Sequence, residues 1–297
     1  MIKYLFTFLA CFIVFHDIMA QDDLLAELEK ETGGEKGYAD FIFKGTRLIN
    51  GHSVKTLHKG ELEFLISHRF GQINSGAYEL YGLDNSFIRF GLDYGITDDL
   101  TIGFGRSSYD KTYDGFVKYK ILKQSTGAGG MPFTLTLLAD ASTKTSPDKA
   151  SAPGITSKNR LAYVTSLLIA RKVNSALSVQ VSPTFIHKNM VYEPQKNDTY
   201  AVGAGLRYKL TQSVTINFEH FIRLNINGND YTYEGADTFN AVALGVDIET
   251  GGHVFQLHLT NSRGMMERAI ITETTGNVLK GDIHLGFNIS RTFQLAK

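Results

Sequence analysis

Residues 86–108, SFIRFGLDYGITDDLTIGFGRSS, read as two strands joined by one tight turn. In the first, Ile88, Phe90, Leu92 and Tyr94 fall on one side and Arg89, Gly91 and Asp93 on the other. After the turn, Leu100, Ile102 and Phe104 oppose Thr101, Gly103 and Gly105. Successive side chains of a strand point to opposite faces, so this period of two gives a sheet with one apolar face and one polar or small face. The pattern returns at 60–70, 115–122, 133–143, 177–185, 200–210, 214–224, 239–249, 254–260 and 282–293. Residues 160–172 make the most uniformly apolar of the strands, so parity assigns no facing there.

Counted from Gly60, the pattern makes twelve strands. The connections alternate in length. Short ones fall at 96–99, 125–132, 173–175, 211–213 and 250–252; long ones at 71–85, 106–114, 144–158, 187–198, 225–237 and 262–281. An even strand number with short turns at one end and long loops at the other is the pattern of an outer-membrane barrel with both termini on the periplasmic side. A strand of ~10 residues crosses the hydrocarbon layer when tilted by about 45°. Only a closed sheet leaves no unpaired edge there. A soluble β-sandwich alternates too, but its loop lengths would be more even. The expected fold is a closed antiparallel up-and-down transmembrane β-barrel of about twelve strands over 60–297. Adding 39–50 (ADFIFKGTRLIN) would make the count odd, which places that segment at the periplasmic rim or inside the lumen.

The N-terminus fits export. Lys3 precedes an apolar run at 4–15, and Ile18-Met19-Ala20 supplies a small residue before Gln21. The run is too short for a membrane-crossing helix of ~20 residues. It continues past Cys11, which argues against lipidation there. Residues 1–20 are thus an expected signal peptide, and 21–59 a periplasmic segment that opens with a short helix at 22–31. Cys11 is the only cysteine, so a chain cleaved after Ala20 has no disulfide, thiolate metal site or thiol nucleophile. Lys plus Arg and Asp plus Glu are equal at 30 each, which leaves no net field to attract nucleic acid. Trp is absent, so the 14 Tyr must supply any interfacial girdle.

The runs FKGTRLINGHS (43–53), ISHRFG (66–71), Gly82-Leu83-Asp84 and GRSSYDKTYDG (105–115) resemble a family of uncharacterised outer-membrane β-barrel proteins from Bacteroidota. The resemblance spans nearly the whole chain after the signal. It implies the barrel fold and an outer-membrane location, and it assigns no activity to any residue.

The polar faces supply a lumen inventory of Glu61, Glu63, Arg69, Arg89, Asp93, Lys118, Lys120, Asp140, Arg207, Lys209, Glu219, Arg223 and Asp247, six acids and seven bases. A selective pore usually has one sign dominating its constriction. Near balance points instead to ion pairs bracing the interior, with a wet, weakly selective channel as the alternative. Arg89 and Asp93 are the first pair to test. His258 and His284 share the lumen parity, yet with no cysteine and no histidine-rich run no metal site is expected. Ser53 and Ser67 each adjoin a histidine, but neighbours in a strand face opposite ways, so neither makes a nucleophile–base pair. Asp110, Asp114 and His187 show no catalytic spacing. The expected function is a passive channel for small solutes in outer-membrane lipid, with no cofactor. The alternatives are a non-conducting scaffold or receptor that binds a partner through the long loops or 22–50, and, less favoured, a rim hydrolase.

Overall fold

The computed structural model describes residues 37–39, 42–127, 129–146, 155–191, 195–226, 228 and 231–295. The expected signal peptide and the helix at 22–31 lie outside them. The strands are β1 (Glu61–Gln72), β2 (Ser86–Thr97), β3 (Leu100–Ser107), β4 (Tyr113–Leu122), β5 (Thr134–Thr143), β6 (Leu161–Lys172), β7 (Leu177–Lys188), β8 (Asp198–Lys209) and β9 (Val214–Leu224). A two-residue hairpin follows, β10 (Thr232–Tyr233) and β11 (Ala236–Asp237), then β12 (Val242–Thr250), β13 (His253–Thr260) and β14 (His284–Gln294). Apart from β10 and β11, every strand pairs antiparallel with its neighbours, and β1 closes on β14: a closed barrel of twelve strands. No helix among the described residues is long and apolar enough to cross a membrane. The strands do so instead, at 8–12 residues each.

The outer wall is apolar. Phe90, Leu92, Phe104, Val117, Leu244 and Leu257 are all exposed on it. Tyrosines band both ends, with Tyr113, Tyr163 and Tyr200 toward the long loops and Tyr94, Tyr119 and Tyr208 toward the short turns. Phenol rings suit that boundary because one edge is apolar and the hydroxyl stays wet. Replacing Phe90 by arginine should therefore cost ~2–4 kcal/mol near the bilayer midplane, read as a lower denaturant midpoint on refolding into vesicles. An arginine accepted there at no cost would mean that this face is not turned to lipid.

The interior departs from the sequence reading in three ways. Residues 42–59 enter the barrel from the short-turn end and form no continuous strand over 42–50; they make a tight hairpin joined by one bridge between Arg47 and His52. No wall strand has a free edge to pair with this segment, so wall side chains bond its backbone instead. Second, the connection 261–283, expected as an external loop, folds back into the opposite mouth. It carries helix α1 (Glu267–Thr272), every residue of which is buried. Third, the β3–β4 connection is only 108–112, shorter than the expected 106–114.

These inserts explain the uniformly apolar β6. Its inward residues Leu168 and Ala170, with Leu138 of β5, pack on Ile42, Phe43, Leu48 and Val54 of the hairpin segment. Inward Val164, with Ile186, Ala201 and Phe221 from neighbouring strands, packs on Ile270 and Ile271 of α1. The lumen wall is apolar where an apolar insert covers it.

Candidate functional site

The hairpin is held by its backbone. Its own pairing is short: Leu48 N–H donates to the Gly51 carbonyl at 2.8 Å and Ser53 N–H to the Thr46 carbonyl at 3.1 Å. Many of its other main-chain groups are bonded by side chains of the wall. Glu219 of β9 accepts the N–H groups of Ile49 and Asn50 at 3.3 Å and of Gly51 at 2.9 Å. Lys118 of β4 donates to the carbonyls of Thr46, Ser53 and Lys55 at 3.1, 3.1 and 2.9 Å. One anion thus gathers donors at the tip, and one cation gathers acceptors on the legs. Such charge-assisted bonds are about twice as strong as neutral ones.

Neutral residues complete the set. Gln256 and Asn288 donate to the Leu48 and Ile49 carbonyls at 2.7 and 2.8 Å. Gln180 donates to the His52 carbonyl at 2.8 Å and accepts from Val54 N–H at 2.9 Å. Thr136 donates to the Val54 carbonyl at 3.1 Å, and Thr101 accepts from Leu57 N–H at 2.9 Å. Buried main-chain groups need partners; here the polar face of the barrel supplies them.

The other sequence-selected residues fall into three groups. Close to the hairpin, Arg69 donates to Asn50 Oδ1 at 2.7 Å and Asn288 Oδ1 at 3.1 Å. Glu63 accepts from Thr46 Oγ1, and Asp247 accepts from Gln256 at 2.6 Å. In the wall, Arg89 does not pair with Asp93. It forms a bidentate pair with Asp114, its Nε at 2.9 Å from Oδ1. Asp93 instead accepts from Arg47 and Thr46 of the hairpin, both at 3.3 Å. Arg89 and Asp93 share one strand four residues apart, whereas Asp114 of β4 pairs with Gly105 of β3, which pairs with Gly91, two residues along β2 from Arg89; the Arg89 side chain reaches it across Gly105. A Cβ at Gly105 would stand 2.2 Å from the Arg89 guanidinium, so glycine there makes room for the ion pair. Buried Asp140 and Arg207 keep Oδ1 and Nε without a hydrogen bond. At the rims, Glu61 accepts from His58 N–H at 2.8 Å, and Lys120 and Lys209 are half-buried. Arg223 donates to the Thr238 carbonyl at 2.8 Å.

Where the two inserts meet, His52 N–H donates to Glu267 Oε1 of α1 at 2.7 Å. The long-loop mouth is tied by a second network. Lys144 reaches Asp110 at 2.8 Å, Tyr233 at 3.0 Å and Glu273 at 3.1 Å, and Glu273 also pairs with Arg268. Burial alone would raise the Glu273 carboxyl; the Arg268 and Lys144 charges overcome it and hold the group below its ordinary range. His187 bonds Asp198 at 2.6 Å, away from Asp114, which Arg89 engages. No cluster of three or more His, Cys, Asp or Glu fit for a metal occurs among the described residues. His284 bonds the Phe70 carbonyl at 2.9 Å.

The model of the membrane bound beta barrel domain family DUF5777 matches residues 43–293. The chain belongs to that family. The match begins inside the hairpin segment, so in this DUF5777 chain the insert is part of the family domain and not an appendage to it. No curated protein sequence matches the chain. Among solved structures, the NanC porin is 11% identical, with 79% of this chain and 100% of that chain covered and a TM-score of 0.50. The KdgM porin is 9% identical over 78% of this chain and 99% of that one, TM-score 0.44. An outer membrane channel from Pseudomonas putida F1 is 13% identical over 81% and 98%, TM-score 0.43. The NanC likeness establishes a porin-like barrel fold for this DUF5777 chain.

The wall residues of the site were visible by parity, their partners were not. Parity gives the face of a residue but neither its height nor what stands across from it. The α1 insert was missed, although its signal was present: GMMERAIIT places four large apolar residues in what was read as an external loop.

Proposed function

We propose that this protein is an outer-membrane barrel closed in its resting state, serving as a receptor or scaffold with its long loops facing outward, and not a standing open pore. One observation carries the reading: the lumen is filled from both mouths, and the inserts touch at His52 and Glu267. Residues that would line a water-filled channel are sealed; Arg69, Lys118 and Asp93 are each 0% exposed. A conducting porin keeps such side chains in water. On this reading residues 1–20 direct export and the hairpin segment reaches the lumen from the periplasmic side.

Planar-bilayer recording on refolded protein tests it. The expected record is quiet at moderate voltage, without steady ohmic steps. A steady open-state conductance from the unaltered chain would overturn the closed-barrel reading in favour of the passive channel.

A further inference from the structure

The long-loop mouth contains a cavity of about 280 Å³ that neither insert fills. Lys144, Arg160, Lys188 and Arg268 line it, with Glu273, Glu234 and Tyr233. Glu273 gives Oε1 to Arg268 and Lys144 and keeps Oε2 without a hydrogen bond, and Lys144 is also engaged by Asp110. Two lining cations remain outside these pairs. Among the described residues, the Lys188 ammonium has neither a hydrogen bond nor an ion pair. Arg160 spends Nη1 on the Lys144 carbonyl at 3.0 Å and has no acid partner; its Nε is buried and unbonded. Arg268 is 3% exposed, and its Nη2 also lacks a partner. Buried donors without acceptors cost about 1–3 kcal/mol each, more when charged; Arg160 Nε and Arg268 Nη2 are two such donors, and the half-buried Lys188 adds a cation without a hydrogen bond beside them.

The rest of the lining says what should carry those acceptors. Leu161, Ala162, Met190, Val191 and Ile155 add apolar surface to the lining. A bare inorganic anion would satisfy the donors and leave that surface unused. We propose that the cavity binds a small organic dianion, with one carboxylate between Lys188 and Arg160, a second on Arg268 Nη2, and a short hydrocarbon skeleton against the apolar residues. The site goes beyond the closed-barrel reading and does not depend on it, because the cavity opens toward the long loops whether or not the lumen below conducts.

Titration calorimetry on the full refolded chain in detergent at low salt provides the test, with glutarate as probe. Glutarate should bind saturably at one site, and its neutral analogue glutaramide should not. Binding should weaken at least tenfold in Lys188→Met and in Arg160→Met, persist in Lys188→Arg, and stay unchanged in Lys123→Met, a rim lysine at the opposite mouth. Inorganic phosphate should bind more weakly than glutarate. No saturable glutarate binding would overturn the proposal, as would binding that Lys188→Met and Arg160→Met leave intact. Phosphate binding as tightly as glutarate would overturn the role of the apolar surface. A quiet bilayer record alongside absent glutarate binding would remove this site and leave the closed barrel standing; a steady conductance alongside glutarate binding would do the reverse.

Discussion

Arg89→Met should destabilise the barrel by about 3–5 kcal/mol, because it leaves the Asp114 carboxylate buried and unpaired. Arg89 is 1% exposed and Asp114 4%. Burying an isolated carboxylate costs far more than the methionine packing returns. The check is a double-mutant cycle on the urea midpoint for unfolding from vesicles. Asp114→Asn in the same chain should recover most of the loss, since a neutral amide tolerates the site that a lone carboxylate does not. If the double variant is no more stable than Arg89→Met, then the pair is not the source of the effect and lost packing is.

Glu219→Ala should act on the insert and spare the barrel. Its carboxylate is the common acceptor for three consecutive backbone N–H groups, and its removal leaves all three buried without a partner. A hydrogen bond to a charged group contributes about 1.5–3 kcal/mol, and bonds sharing one carboxylate are not additive. A loss of about 3 kcal/mol in seating the hairpin is a reasonable sum, roughly a hundredfold shift toward the unseated form. Cys11 is the only cysteine, so a Cys11→Ser background makes this measurable. Ser53 is 0% exposed, so a Ser53→Cys reporter should label slowly with a polar thiol reagent, and about a hundredfold faster once Glu219→Ala is added. Bilayer records of Glu219→Ala should show intermittent current bursts absent from the unaltered chain. Equal labelling rates with and without Glu219 would mean that the carboxylate does not hold the hairpin.

The barrel itself was legible because its physics is repetitive. Phe90 and Leu92 alternate with Arg89 and Asp93 for the same reason that Leu244 and Val246 alternate with Gly245 and Asp247: lipid on one side, something polar on the other. The strand count, antiparallel order and lipid face follow from that repetition. What occupies the lumen was much less legible. Parity places 39–50 outside the wall, but nothing in the segment's own residues announces that Glu219 and Lys118 hold the main chain of its described part. Those bonds use backbone atoms, which every residue has, so the hairpin's side chains carry no trace of them. The apolar inward face of β6 was the available clue. Val164, Leu168 and Ala170 would be out of place beside water, and the inserts that cover them account for them. Balanced lumen charge suggests ion pairs bracing the interior; Arg89 pairs with Asp114, which lies outside the inventory read from parity, while Lys118 and Glu219 turn to carbonyl and amide dipoles.

The backbone clamp bears on how the molecule assembles. The wall residues that hold the hairpin are spread from Thr101 on β3 to Asn288 on β14, on both sides of the β1–β14 junction. That junction registers ten residue pairs. A closed ring offers no lateral entry, and a hairpin threaded late through the mouth would have to shed its hydration before any wall donor reached it. A hairpin seated before β14 closes on β1 meets those wall groups without crossing a finished mouth, so the expected order of assembly is the hairpin first and ring closure last.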